Sequence, residues 1–464
     1  MLASRKITSS KLQFNSTIIL IMTIILLHQV QTKILFLFEH CRHGARSMTH
    51  LFDNDLDIIG EKWSGEAELS YVGMRQHYLL GVHTKKKYPD IFTGTQYNPD
   101  DIIVYATNSN RTIMSAQAQL IGIYKTLGDE EKLTEEEVGL ATLPFEIKDE
   151  KMKEFISILD KSTLPNDTPL EVPIHILDTR DKVFQFEKNG GCPPIKTLRK
   201  ESQSKDVIVN FNKNFNNTFG SQLLRHFNIQ NDSDRFSKYD NIGDITGGII
   251  INTVDGRDLS RFQRSGINLS DLINKSYEYA NLASTQVQSQ DSKKEIAMAG
   301  SSVLMRKILS YMDAVVENDK NQKSAKIPKF FFLSAHDGTL VVMEDFFKVI
   351  FDTNIQYPVF ASNLFIELEK VESTNSYQVN LVFNGDIIKS IKYEEFKSTI
   401  EEKAWTYEQT GLYCGFIIKT IKIWKISTIC LGIGLFLLTI LLGVVVFLNK
   451  RRKPLEVMNR PLVE

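Results

Sequence analysis

KILFLFEHCRHGARSMTH, Lys33–His50, decides how the rest of the chain is read. Ile34–Phe38 is an unbroken apolar run, too short for a helix of its own, and reads as a strand buried on both faces. Such strands belong to α/β sheets, whose ligands bind beyond the carboxyl ends of the strands. Arg42, His43, Gly44, Ala45 and Arg46 follow the run and so stand where a ligand should sit. Two chemistries fit that ending. One is a metal site drawn from His40, Cys41, His43 and His50; the other is a basic nest for an anion.

Working outward, two more strand ends carry related residues. DIIVYAT, Asp101–Thr107, reads as a strand leading through a loop into a helix that starts with Arg111. That helix has Ile113, Ala116, Leu120 and Tyr124 on one apolar stripe. KFFFLS, Lys329–Ser334, reads as a third buried strand and runs into His336 and Asp337. SYVGMRQHYLLGVHTKKKYP, Ser70–Pro89, reads as a helix stopped by its proline. EVPIHIL, Glu171–Leu177, is a candidate strand, and INLSDLINKSYEYANLAS and AGSSVLMRKILSYMDAVVEN read as helices. ASNLFIELEKV and SYQVNLVFNGD alternate and read as an antiparallel pair at the sheet edge. The expected fold is α/β: a mainly parallel central sheet flanked by helices. The irregular polar stretch from about 149 to 289 is expected to be an inserted, mainly helical cap.

The two ends place the body. Residues 1–32 have a basic start (Arg5, Lys6, Lys11), an apolar run and a polar patch, the layout of a secretory signal peptide. Ile426–Leu448 is uncharged and long enough to cross ~30 Å of hydrocarbon as one helix. Lys450, Arg451, Arg452 and Lys453 follow at once, so 449–464 is expected to be a cytoplasmic tail. The body, 33–425, then faces a lumen or the outside, as in a single-pass type I membrane protein. The tail carries no tyrosine-based sorting signal, which leaves lysosome, other vesicle and cell surface open.

Sequons at Asn166, Asn216, Asn231, Asn268 and Asn274 suit a glycosylated, exported body. Of the four cysteines, Cys41 lies in the opening motif and Cys430 in the span. Cys192 and Cys414 stand in turn-like contexts and are expected to pair in an oxidising lumen, with two free thiols as the alternative. With 464 residues, 42% of them apolar, the chain can bury a large core. A formal net charge of −1 provides no overall basic field for nucleic acid.

Arg42, Arg46 and Arg111 offer permanently charged forked donors that match phosphoryl oxygens. Their charge disfavours a further cation, so a histidine among them stays neutral and keeps a nitrogen lone pair for nucleophilic attack. Asp337, beside His336, is the carboxyl placed to protonate a departing alkoxide. Gly44 lets the backbone turn closely round a ligand. The same arginines repel a divalent cation, which weighs against zinc.

Here the residues carry a resemblance. CRHGARS resembles the R-H-G-x-R signature of the histidine acid phosphatases, a branch of the phosphoglycerate mutase-like superfamily. NRTIMSAQAQLIGIY is similar to the stretch that supplies that family's third phosphate-binding arginine, and SAHDGTL to its H-D motif. MRQHYLLG and YPVFASNLFIELE share the family look. The resemblance implies an α/β core with a helical cap and metal-free, cofactor-free hydrolysis of phosphate monoesters by an acid phosphatase. It implies a phosphohistidine on His43, a phosphoryl group held by Arg42, Arg46, Arg111 and His336, and Asp337 as proton donor. Within the family, the signal peptide and single span look most like lysosomal-type membrane acid phosphatases. Where the family often has proline, two places after the second motif arginine, this chain has Met48. An inactive membrane receptor or interaction protein, a phytase and a lysophosphatidate phosphatase stay open as alternatives, as does a homodimer.

Overall fold

The computed structural model describes residues 32–48, 65–93, 97–124, 135–140, 142–143, 149–150, 152–154, 172–177, 192–202, 206–226, 239–285, 290–322 and 326–451. The signal peptide segment through residue 31, His50, Asn166, Asn231 and the tail from residue 452 lie outside them. The chain divides into two compact units, 1–406 and 407–464.

The strand expected at the start is β1 (Thr32–Arg42), longer than its apolar run. Every residue from Phe36 to Arg42 is buried. Alternation sends Phe36 and Phe38 to one face, against Tyr311 and Phe331. Leu37 and Cys41 go to the other, with Ile102, Val104, Phe330, Phe332 and Phe365. Each fully buried phenylalanine is worth roughly 1.5–3 kcal/mol over its exposed state, so this double-sided strand anchors the core.

Next come α1 (Tyr71–Lys87), β2 (Ile102–Ala106), α2 (Asn110–Tyr124), α3 (Glu135–Leu140) and β3 (His175–Ile176). The Ser70 side chain caps α1 by accepting from the Gly73 amide at 3.1 Å, and Lys85–Lys87 complement the helix dipole at its end. The stripe on α2 sits as expected at Ala116 and Leu120, while Ile113 and Tyr124 are only half-buried. EVPIHIL contributes just the two residues of β3 to the sheet.

α4 (Pro193–Ser202) leads into a helical group. It comprises α5 (Asp206–Phe215), a π-helical turn (Asn216–Gly220), α6 (Ser221–His226), α7 (Tyr239–Val254), α8 (Ser260–Arg264) and α9 (Leu269–Thr285). This group has a core of its own that includes Phe211, Phe215, Ile245, Ile249, Phe262 and Tyr279. Asn268 and Asn274 are exposed on it, and Asn216 is half-buried.

α10 (Gln290–Asn321) starts earlier than its sequence pattern and packs beside β1, followed by β4 (Phe330–Ala335) and α11 (Asp337–Phe351). The chain closes its first unit with β5 (Asn363–Val371), β6 (Ser376–Phe383), β7 (Asp386–Lys392) and α12 (Tyr393–Lys403). The seven strands form one sheet in the order β3-β2-β4-β1-β5-β6-β7. β3, β2, β4 and β1 run parallel. β5, β6 and β7 are antiparallel, so the expected edge pair is a three-stranded meander whose first strand lies beside β1.

Register sets up the site. Arg42 pairs with Ala335, and Ala106 with Ser334, so β1, β4 and β2 end together. Antiparallel pairing sets Cys41 opposite Asn363, which delivers the segment before β5 to the same rim.

In the second unit, α13 (Tyr407–Cys414) precedes α14 (Phe416–Arg451). Ser427–Leu448 within α14 is a 22-residue stretch of mean hydropathy 2.9 with none of its surface buried. At about 1.5 Å per residue it reaches roughly the hydrocarbon thickness of a bilayer. Cys192 and Cys414 are each disulfide-bonded, and Cys41 and Cys430 are free thiols.

Candidate active site

β1 hands over to a turn whose backbone is pinned at each step. The His43 amide donates to Ala335 O at 3.0 Å, and His43 O accepts from Ala361 at 3.1 Å. The Gly44 amide donates to Ser115 Oγ at 3.2 Å and the Ala45 amide to Gln76 Oε1 at 2.9 Å. Ala45 O accepts from the Ser70 amide at 3.0 Å, and Arg46 bridges Leu69. Gly44 serves α1 rather than a ligand. A Cβ there would stand 2.4 Å from Gly73 O, and one on Gly73 would stand 2.1 Å from Ala45 O. Two bare backbones in contact fix the motif turn to the start of α1.

The sheet rim gathers the six residues singled out in the sequence. Arg42 is buried and stacks over the Phe360 ring at 4.1 Å. Its guanidinium donates to Pro358 O at 2.8 Å and pairs with Asp337 at 3.1 Å. Arg46 donates to Ser47 O at 2.8 Å, and Arg111 reaches Ala67 O at 3.5 Å. The His43 and His336 rings lie 5.4 Å apart at 75°.

Donor counting fixes both histidines. His43 Nδ1 is 2.8 Å from Gly44 O. A carbonyl only accepts, so Nδ1 carries the hydrogen and Nε2 keeps its lone pair in the neutral ring. His336 Nδ1 is 3.4 Å from Arg111 Nη2, which only donates, so here Nδ1 is the acceptor and Nε2 holds the hydrogen. Thr107 Oγ1, 2.8 Å from His336 Nε2, takes it up.

Electrostatics keep the rings neutral. Burial pushes the His43 pKa well down, and His336, Arg42, Arg46 and Arg111 push it further. Burial and then Arg111 lower His336 to about 4. Burial and the neighbouring guanidiniums bring Arg46 down to about 10, which leaves it charged. Burial pulls Asp337 upward, but Arg42, the Gly338 amide and Tyr357 outweigh it and hold the carboxyl well below its usual range. Three guanidiniums thus face one carboxylate, and the surplus favours an anion.

The geometry separates two of the four zinc candidates, and a third, His50, lies outside the described residues. Strand alternation sends His40 and Cys41 to opposite faces. His40 is buried with Nε2 3.0 Å from Thr339 Oγ1. Cys41 is a buried thiol whose pKa burial raises, with Glu39 adding to the shift. Among the described residues no three His, Cys, Asp or Glu side chains are grouped as metal ligands.

Sequence reading missed the residues that hold the six in place. Tyr357 donates to Asp337 at 3.0 Å, Phe360 lies under Arg42, and Thr107 anchors His336. YPVFASNLFIELE had the family look but no role attached to its first residues, and Thr107 carried no motif at all.

A family model described as Histidine phosphatase superfamily (branch 2) matches residues 32–384. The chain belongs to that superfamily. It is 23% identical over 346 residues to the lysosomal acid phosphatase of Xenopus laevis, covering 74% of this chain and 68% of that one. It is 23% identical over 361 residues to the human lysosomal acid phosphatase, covering 75% and 70%. Among solved structures, the Hafnia alvei phytase in complex with tartrate superposes with a TM-score of 0.50 at 11% identity, over 82% of this chain and 98% of that one. That likeness speaks to the fold. Membership and the acid phosphatase relatives together support phosphatase activity, and the apolar helix is compatible with a membrane anchor.

Proposed function

We propose that the chain is an acid phosphatase that hydrolyses phosphate monoesters through a phosphohistidine on His43. One observation carries this reading: Gly44 O holds the hydrogen of His43 on Nδ1, which leaves the Nε2 lone pair among three guanidiniums. Arg42, Arg46 and Arg111 neutralise the phosphoryl oxygens and stabilise the charge of the transition state. His43 Nε2 attacks phosphorus, and the bond to the ester oxygen breaks.

Asp337 is a carboxylate while it is paired with Arg42, so its proton has to arrive with the substrate. A monoanionic phosphate ester, abundant below its second pKa of about 6, carries one. As phosphoryl oxygens take over Arg42, that proton passes to Asp337 and then to the leaving alkoxide. In the second step water attacks the phosphohistidine, Asp337 accepts the water's proton, and phosphate leaves. The acid optimum follows from the proton the substrate brings.

The cap at about 149–289 contributes substrate contacts in this reading, and no metal or cofactor takes part. The body, 33–425, is luminal or extracellular, held by 426–448 with a cytoplasmic tail at 449–464. Exposed Asn268 and Asn274, together with bonded Cys192 and Cys414, support that side for the body. Rapid quenching at neutral or alkaline pH with labelled substrate, followed by peptide mapping, is expected to place an acid-labile phosphoryl group on His43. Label on a serine or an aspartate would overturn the mechanism.

A further inference from the structure

A cleft of about 220 Å³ opens beside the cationic cluster. Arg42, Arg46 and Asp337 line it next to the motif turn. The helical group supplies Gly243, Gly247, Ile250, Tyr277 and Ala283, so most of that wall is apolar or small. Among the described residues that line it, Arg42 and Arg46 are the only cations. Thr246 lines it too, but its hydroxyl donates back to Ile242 O at 2.8 Å, and Tyr357 already donates to Asp337.

Gly247 gives the second observation. A glycine inside a helix costs about 1 kcal/mol relative to alanine, which is usually repaid by close packing. Here a Cβ would meet nothing within 4 Å. What the glycine leaves behind is room in the cleft.

We propose that this cleft is a leaving-group subsite for one uncharged apolar ring. The chain would then favour monophosphate esters of aromatic or similarly sized apolar alcohols and discriminate against alcohols that carry further phosphates. This rests on the phosphatase reading for the phosphoryl end. A cavity of about 150 Å³ lined by aliphatic and aromatic side chains takes up benzene, so the cleft has room for one ring. Among the described lining residues, additional phosphates would find no counter-charge beyond Arg42 and Arg46 and would lie next to the Asp337 carboxylate, at a cost on desolvation.

Inert phosphonates test the subsite without requiring turnover. Phenylphosphonate and methylphosphonate are titrated calorimetrically into the full chain in detergent. The phenyl compound is expected to bind about tenfold tighter or more, from the apolar area it buries. Gly247→Phe fills the cleft and should erase that ratio, while Gly247→Ala, whose methyl group has space, should keep it. Gly247→Leu is the smaller filling variant if Gly247→Phe does not fold. Equal affinity for the two phosphonates, or an unchanged ratio in a folded Gly247→Phe protein, overturns the subsite. So does tighter competition by myo-inositol hexakisphosphate than by phenyl phosphate. The phosphatase reading fails separately, if no monoester in a panel is turned over although phosphonates bind.

Discussion

Met48 packs against Gly248 of α7: a Cβ built on that glycine would stand 2.4 Å from the Met48 terminal methyl carbon. Asn252 Nδ2 lies 3.6 Å from the Met48 sulfur, and Val72, Ile251 and Phe360 share its cluster. Met48 occupies the place where the family often has proline. Proline would stiffen the motif loop through its ring; here burial against α7 holds the loop. Truncating a buried methionine costs roughly 2–5 kcal/mol. Met48→Ala is therefore expected to lower the unfolding midpoint and to raise KM more than it lowers kcat. A midpoint within experimental error of the native protein would show that the loop is held by its backbone bonds alone.

Asp337→Asn should separate substrates by their leaving groups. General acid catalysis is worth roughly 10²–10⁴-fold, so single-turnover phosphorylation by an alkyl phosphate should slow by about that factor. A nitrophenyl phosphate releases a stabilised anion and should slow far less. Equal losses on the two would mean that Asp337 only positions Arg42 or His336.

Glu39 sets a pH dependence of stability. It is fully buried on β1, with both carboxyl oxygens 2.8 Å from Gln119 Nε2 and one 3.2 Å from Asn363 Nδ2. Burial raises its pKa to about 7, against the opposing pulls of Gln119, Asn363 and Lys87. Because the folded pKa lies above the unfolded one, this stabilisation is complete below about pH 4.5 and is lost as pH rises through about 7. Glu39→Gln removes that dependence. Relative to native, it should gain up to about 3 kcal/mol between pH 5 and pH 8, read from denaturant midpoints. A constant difference across that range would refute a buried, protonated Glu39.

Glu39 also connects to the motif. Gln119 Oε1 is 3.0 Å from His77 Nδ1, and His77 Nε2 is 3.1 Å from Arg42 O. A carbonyl requires a hydrogen on Nε2, and burial lowers His77 to about 4, so a neutral ring needs a donor at Nδ1. The structure sets Gln119 Oε1 at His77 Nδ1 and Gln119 Nε2 at Glu39; a protonated Glu39 would let the amide turn over, accept from the carboxyl and donate to His77.

Prolonged dialysis of the full chain against a strong chelator should leave phosphatase activity unchanged. Loss of activity that zinc restores would revive a metal role for His43 and its neighbours.

Much of this protein was legible locally. Ile34–Phe38 and Phe330–Leu333 are continuous apolar runs, and continuity over so few residues admits a double-sided strand; Arg42, His43, His336 and Asp337 follow within a few residues. The Lys329–Ser334 and Asp101–Thr107 patterns located β4 and β2 for the same reason. Boundaries were harder. β3 shrank to two residues and α10 began at Gln290, since strand pairing and helix packing, not periodicity, decide where an element ends.

Local pattern could not supply the partners. Tyr357 and Phe360 reach Asp337 and Arg42 because β5 lies antiparallel to β1, a neighbour chosen by the whole sheet. Met48 meets Gly248, and Gly247 opens the cleft, only once α7 has packed over the motif turn. The sequence by itself singled out Arg42, His43, Arg46, Arg111, His336 and Asp337, through side-chain type and position at strand ends. The tertiary structure decided which nitrogen of His43 is free, what holds Asp337 ionised and how much space lies beyond the arginines. The first depends on the turn that brings Gly44 O back to the His43 ring; the other two depend on atoms far away in sequence meeting within a few ångströms.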